Sequence, residues 1–284
     1  MSSIIIGRFM PPHAGHRFLI DFARAMVEDV HILVCTLPSE PIPGDLRYQW
    51  VQELAPGCTV THITEENPAA ARGQGGAIAI WADTVRAAVP GTVSHVFASE
   101  DYGWLLAAEL GAQFVPVDTN RSNIPVSATM IRNDPYRHWR FIPPPVRPWF
   151  VRHVAVVGDR DLAERLGSLL NTVVVHPYKD FWQATWDSAT PPAGATPLSG
   201  DMIRRGANGA VQALARQANR ILIHAVTSLE EMPSVQPHLI IAAAEDMISP
   251  EAAFLPSLDK STVTSDAAGV QTILSVLDMD DYKE

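Results

Sequence analysis

A run of three isoleucines, Ile4-Ile5-Ile6, passes without a break into Gly7-Arg8-Phe9-Met10-Pro11-Pro12-His13-Ala14-Gly15-His16, and an amphipathic stretch from Arg17 to Glu28 follows. The order is strand, glycine turn, two histidines, helix. In a parallel α/β protein, phosphates sit at this kind of junction, because unpaired backbone N–H groups at a helix N-terminus attract anions. His13 and His16 stand three residues apart, which puts both imidazoles on one face once the helix has begun. A lone histidine near a helix start is ordinarily a surface or capping residue. Two of them, at fixed offsets from glycines and prolines directly after an apolar strand, point to phosphate handling instead.

The rest of the first half repeats strand and helix in alternation. His31-Ile32-Leu33-Val34-Cys35 reads as a buried strand, Pro38 to Gly44 as a loop, and Asp45 to Leu54 as a helix. Thr59-Val60-Thr61-His62-Ile63 alternates as a strand does, and Glu65 to Gly76 is a polar, small-residue loop long enough to be functional. A helix from Ala77 to Val89 carries Trp81 in its first turn. A strand at Val93–Ala98, a helix at Tyr102–Leu110 and a short strand at Phe114–Val117 complete the pattern. Such alternation predicts βαβ units and a doubly wound parallel sheet, with ligands at the carboxyl ends of the strands. Gly7, Ser99 and Asp118 all follow strand ends and would share one crevice.

Composition removes several functions. The 284 residues carry a formal net charge of −10 and no long basic cluster, which argues against a general nucleic-acid binder. No window approaches 18 consecutive apolar residues, and no charged n-region precedes an apolar stretch, so a cytoplasmic protein without a membrane span is expected. Cys35 and Cys58 have no metal-ligand spacing and suggest no disulfide framework; Cys35 reads as a buried thiol.

The second informative segment is Pro125-Val126-Ser127-Ala128-Thr129-Met130-Ile131-Arg132. A hydroxyl residue ahead of an amphipathic turn is a helix-capping signal. The hydroxyls, free N–H groups and Arg132 would form a second anion cradle. Residues 135–150 are then dense in proline, aromatics and arginine, too aromatic for a floppy linker. They are expected to connect a domain at 1–134 to another at 151–284, packing on both. There the α/β pattern restarts with a strand at Val154–Val157, a helix at Asp161–Leu170 and a strand at Thr172–Val175. Further strands are expected at Ile221–Ala225 and Leu239–Ala243, with a final helix around Ala267–Leu277.

Taken together, Gly7-x-Phe9-x-Pro11-x-His13-x-Gly15-His16 and Ser127-x-Thr129-x-x-Arg132 resemble the nucleotidyltransferase superfamily with the HxGH signature. The stretches Ile131–Pro143 and Val146–Val151, with Ser99-Glu100-Asp101-Tyr102-Gly103, look like the NadR-type proteins. Those join a nicotinamide-mononucleotide (NMN) adenylyltransferase to a ribosylnicotinamide kinase. The resemblance is specific over residues 4–158 and weaker beyond. It implies a Rossmann-like nucleotidyltransferase fold followed by a P-loop-kinase-like α/β domain. It also implies transfer of AMP from ATP to NMN, giving NAD and pyrophosphate.

On that resemblance, His13, His16 and Arg132 are the catalytic group. Gly7, Arg8, Phe9, Gly15, Ser127, Thr129, Met130 and Ile131 bind ATP. Mg²⁺ is held mainly by the ATP phosphates, with no protein ligand set. Trp81 falls where a family tryptophan stacks on nicotinamide, although a tryptophan on an apolar helix face also suits a core. Arg47 is expected near the mononucleotide phosphate. Ser99 and Glu100 are expected near NMN, with Glu100 and Asp101 either on ribose hydroxyls or capping the next helix. Tyr48 and Trp50 read as core.

The second half departs from its family. Where a phosphate loop of pattern G-x-x-x-x-G-K-[ST] would follow the strand, the sequence reads Gly158-Asp159-Arg160-Asp161-Leu162-Ala163-Glu164. The loop glycines, the lysine and the hydroxyl are missing, and Asp159 and Asp161 stand in their place, where carboxylates would repel phosphate. Farther on, His224 and Ala225 stand near the positions expected to bind Mg²⁺. A degenerate kinase domain without P-loop or kinase activity is therefore expected. Two alternatives remain: a nucleotidyltransferase for another phosphorylated acceptor, and a non-catalytic nucleotide sensor. The family's regulators carry an N-terminal helix-turn-helix domain, and with the motif starting by residue 7 none is expected here. Homo-oligomerisation is left open.

Overall fold

The computed structural model describes residues 2–64, 77–177, 194–232, 234–242, 256–259, 263 and 267–279. The loop expected at Glu65–Gly76 lies outside the described residues. The chain divides into two compact units, Met1–Val146 and Arg147–Glu284.

The first unit is a five-stranded parallel sheet of order β3-β2-β1-β4-β5. Its strands are β1 (Ser2–Gly7), β2 (Val30–Cys35), β3 (Thr59–Ile63), β4 (Val93–Ala98) and β5 (Gln113–Pro116). The helices are α1 (Ala14–Met26), α2 (Gly44–Leu54), α3 (Ala77–Ala88), α4 (Tyr102–Leu110) and α5 (Ala128–Asn133). The isoleucine run forms the middle strand because it must be apolar on both faces, as in a sheet with helices above and below. Ile5, Ile32, Val34 and Phe97 pack with Leu19, Ile20 and Ala23 of α1 and Val51 of α2 on one face. Ile4, Ile6, Leu33, Cys35 and Val96 pack with Ala82 and Val85 of α3 and Leu106 and Ala107 of α4 on the other. Strand alternation therefore splits each strand between two cores.

The order also fixes where a ligand goes. The chain steps outward from β1 to β2 and β3, then crosses to the other side of β1 for β4 and β5. The switch lies between β1 and β4, where consecutive connections leave in opposite directions and open a crevice at the strand C-termini. Gly7 and Ser99 stand at that point.

The second unit is another five-stranded parallel sheet, of order β10-β9-β6-β8-β7. It contains β6 (Arg152–Val157), β7 (Val174–Val175), β8 (Ile221–Val226), β9 (Leu239–Ala242) and β10 (Ser257–Asp259), with α6 (Arg160–Leu169), α7 (Gly200–Ala215) and α8 (Ala267–Val276). Both halves are thus parallel α/β, as the alternation implied. Helix α7 and strand β10 have no counterpart in the sequence reading. The strand expected at Thr172–Val175 is confined to two residues. Within the Pro/aromatic segment, Trp139–Phe141 and Arg147–Trp149 each form a single 3-10 turn. Among the described residues no helix is long and apolar enough to cross a membrane.

Candidate active site

A cavity of about 650 Å³ opens at the switch point of the first sheet. Its walls bring together residues far apart in sequence: Gly7 to Met10, His13 and His16, Trp81, Ser99 and Glu100, Asp118 and Arg121, and Ser127 to Arg132 in part. All three strand-end residues, Gly7, Ser99 and Asp118, line it.

The two histidines are held by the helix start. His13 is the residue before α1, in extended conformation (φ −145°, ψ 175°), rather than a member of the helix. Its Nδ1 accepts the Gly15 N–H at 3.1 Å, and its own N–H donates to His16 Nδ1 at 3.3 Å. A helix start leaves its first N–H groups unpaired, and this reciprocal arrangement satisfies two of them. The rings lie 3.9 Å apart between centroids, with Phe9 4.8 Å from His16. Because each Nδ1 is an acceptor, the proton of each neutral ring is assigned to Nε2.

The electrostatics support neutral rings. Burial, then the Arg121 charge, pushes the His13 pKa down to about 4. His16 is held well below the usual value by burial, by His13 and by Arg121. Two neutral Nε2–H donors therefore sit beside a cationic wall, suited to an anion that brings its own charge.

That wall is built by three arginines. Arg132 donates from Nη1 to the Met10 carbonyl and from Nη2 to Thr129 Oγ1 at 3.1 Å, tying α5 to the turn after β1. Ser127 Oγ accepts the Met130 N–H at 3.2 Å and so caps α5. Arg8, 55% exposed at its side chain, lies 3.6 Å from Glu40. Arg121 faces Glu100 at 3.5 Å. Phe9 is buried at φ 47°, a left-handed conformation sparsely populated by bulky residues and sustained by its surroundings.

Several expected residues lie elsewhere. Arg47 does not line the cavity. It is fully buried, donates to the Arg8 carbonyl at 2.7 Å and pairs with Glu40. Its charge is consumed by that pair, so it supports the turn from behind. Ile131 is buried in the core, and Met130 is exposed beside the cavity with its N–H committed to Ser127. Asp101 precedes α4 without a side-chain capping bond, and Glu100 is engaged with Arg121. Trp81 does both things the sequence allowed: it packs on the α3–α4 core and lines the cavity. Trp50 is core, and Tyr48 is half-buried and stacks on His62 at 5.1 Å. Cys35 is a buried thiol whose pKa rises to about 12, by burial above all, and it too reaches the cavity.

Arg121 and Tyr102 are two polar wall residues that the sequence reading missed. Tyr102 donates its hydroxyl to the Ile6 carbonyl at 2.7 Å and locks α4 to the end of β1. Arg121 follows the β5 end by the spacing Asp118-x-x-Arg121, the one local sign of it. Asp118 folds that loop by accepting the Asn123 N–H at 3.0 Å and the Ile124 N–H at 3.0 Å. Those bonds, led by Asn123, hold its carboxyl below the usual range.

No family model matches the chain. Among curated proteins it is 27% identical over 197 residues to the trifunctional NAD biosynthesis/regulator protein NadR of Salmonella typhimurium, covering 62% of this chain and 48% of that protein. The Escherichia coli protein of the same name is 26% identical over the same length. In fold, a NadR crystal structure in complex with NAD and AMP-PNP superposes with a TM-score of 0.69 at 17% identity, covering 99% of this chain and 96% of the other. The chain resembles NadR in sequence and in fold. A second NadR structure, in complex with NR, gives a TM-score of 0.61 over 85% of this chain and 78% of that one at 18% identity. The chain spans about half the length of the curated NadR proteins it matches.

Proposed function

We propose that the N-terminal unit is an NMN adenylyltransferase. In this reading a 5′-phosphate oxygen of NMN attacks the α-phosphorus of ATP in line. The bond from that phosphorus to the oxygen bridging to the β-phosphate breaks, and pyrophosphate leaves with NAD formed. A phosphate oxygen is already nucleophilic at neutral pH, so the protein needs no general base. Its task is to align two anions and to offset the charge that shifts onto the leaving pyrophosphate.

One observation carries the reading. Two neutral histidines with Nε2–H donors and three arginines share a single cavity with a tryptophan. His13 and His16 donate to the phosphates at the reacting centre. Arg132, with Ser127 and Thr129, holds the β- and γ-phosphates, and Arg8 and Arg121 add charge at the rim. Trp81 suits a cationic pyridinium ring, which an indole face attracts. Among the described residues no group of three or more His, Cys, Asp or Glu is placed to hold a metal ion. Mg²⁺ carried by the ATP phosphates and water would neutralise phosphate charge there.

The second unit is proposed to have lost kinase activity. Strand β6 ends at Val157 and α6 begins at Arg160, so Gly158 and Asp159 alone connect them. Asp159 Oδ1 accepts the Leu162 N–H at 2.9 Å, filling with a carboxylate the helix terminus that a phosphate loop keeps for its ligand. His224 is fully buried within β8.

The test is NAD formation by purified protein from ATP, Mg²⁺ and NMN, run beside other phosphorylated acceptors. NAD should form with NMN as the preferred acceptor. Turnover of a different acceptor alone would favour the second nucleotidyltransferase reading, and ATP binding without turnover would favour the sensor.

A further inference from the structure

The buried pair behind the cavity has no role in the reaction as described, yet it reaches the phosphate-facing turn. Glu40 sits in the loop between β2 and α2 with its side chain 7% exposed. Its Oε2 accepts the Leu37 N–H at 2.9 Å and pairs with Arg47 Nη2. Its Oε1 has no hydrogen-bond partner and lies 3.6 Å from Arg8 Nε. Arg47, fully buried, spends Nη1 on the Arg8 carbonyl at 2.7 Å. One carboxylate thus sets both ends of Arg8: the guanidinium directly, and the main-chain carbonyl through Arg47. The residue so held precedes Phe9, whose φ of 47° requires a fixed backbone.

The charge count gives this arrangement a direction. Arg8, Glu40 and Arg47 together carry one excess positive charge at the cavity's edge, and Glu40 and Arg47 are buried. A buried ion pair is costly to break because the remaining partner is left uncompensated. Glu40 and Arg47 therefore act as a rigid mount, and Arg8 is the one of the three exposed toward a ligand.

We propose that Glu40 is a positioning residue for phosphate binding, acting through the Arg8 guanidinium. The inference rests on the adenylyltransferase reading only in taking a nucleoside triphosphate as the anion. The Glu40 oxygen holds the Arg8 guanidinium at the cavity's edge, where an anion meets its exposed side, while Arg47 keeps the backbone in place.

The test is a double-mutant cycle read by calorimetric titration of ATP with Mg²⁺ and by thermal melting, using the full chain. Glu40→Gln keeps the side chain's shape and removes its charge, and should weaken ATP binding about tenfold, with Arg8→Ala weakening it at least as much. In the Arg8→Ala background, Glu40→Gln should change affinity less than twofold, while the loss of melting temperature it causes should persist. A merely structural Glu40 would lower affinity and stability equally in both backgrounds, and that additivity would overturn the proposal. So would ATP affinity unchanged in Glu40→Gln, or a wild-type chain that does not bind ATP. If Glu40→Gln does not fold, Glu40→Asp serves in the same cycle, because it keeps the charge and shortens the reach. ATP binding without NAD formation would sink the reaction and leave this test in force; additivity alongside NAD formation would sink the role of Glu40 alone.

Discussion

His13 and His16 hold each other in place: the His13 N–H donates to Nδ1 of His16 at 3.3 Å, and their rings lie 3.9 Å apart. The hydrogen bonds that cap helix α1 are the same ones that leave both Nε2–H groups as donors. Under the proposed function, capping and phosphate binding would be one device, which has consequences for pH and for mutation.

Protonating either ring requires a proton on Nδ1, which breaks a capping bond. The His13 pKa is lowered from 6.5 to about 4, so the folded chain binds fewer protons than the unfolded chain between those values. Stability is then present above pH 6.5 and lost as pH falls through that window. The His13 ring signals in proton NMR should titrate near pH 4. Adding ATP should move that midpoint upward, because phosphate charge favours the imidazolium. A midpoint near 6.5 that ATP leaves unmoved would contradict the site.

Gly15 separates the histidines for a steric reason. A Cβ there would lie 3.0 Å from His13 Cε1 and 3.1 Å from its Nδ1. The ring must shift by tenths of an ångström to make room. Gly15→Ala should lower kcat by roughly 10- to 100-fold, since small misplacements at reacting groups are expensive, with the melting temperature nearly unchanged. Steady-state kinetics beside a thermal melt checks both halves.

The segments that line the first unit's cavity were legible in sequence because each is local. Strand-turn-histidine and Ser127-to-Arg132 each occupy one short segment with a physical signature. Arg121 was not, because its relation to His13 and His16 exists only once sheet order carries the β5 end to the switch point. Arg47 was misplaced for a related reason: a cation in an amphipathic helix reads as available, and nothing local shows that Glu40 neutralises it. Helix α7 was missed because Gly200, Gly206 and Gly209 weaken its local signal, while burial of Val211 and Ala215 comes from tertiary packing. The two-residue β7 offers too short a pattern to delimit from sequence.

Arg121 therefore provides an independent check. Its side chain is 46% exposed and its charge reaches both histidines. Arg121→Ala should cut kcat/KM for ATP on the order of tenfold, less than a fully buried donor would, because solvent and salt screen it. It should also raise the His13 pKa. Unchanged kinetics together with an unchanged titration would remove Arg121 from the site.

The second unit contains its own acid-sensitive contact. His153 Nδ1 and His224 Nε2 are 2.9 Å apart, and His238 Nδ1 accepts the His153 N–H at 3.1 Å. Burial holds His153 at about 4 and His224 at about 3. Stability from these groups is likewise present above pH 6.5 and lost below it. His224→Leu should reduce the drop in melting temperature between pH 7 and pH 5 by several degrees, as a change of about 1 kcal/mol shifts melting by roughly 2–8 °C. An equal drop in both proteins would show that other groups control acid stability.

The kinase prediction follows from Asp159. Purified protein given ATP, Mg²⁺ and nicotinamide riboside should form no NMN above the enzyme-free rate. A measurable phosphorylation rate would mean that the short Gly158–Asp159 connection still admits a phosphate.

The most direct test of the account is chromatographic measurement of NAD and pyrophosphate formed from ATP and NMN by the wild-type chain and by His16→Ala. The wild type should form both products one to one. His16→Ala, folded by circular dichroism, should lose about 10²- to 10³-fold in kcat, as expected when one charge-stabilising donor is removed. NAD formation at the full rate by His16→Ala, or none by the wild type, would contradict it.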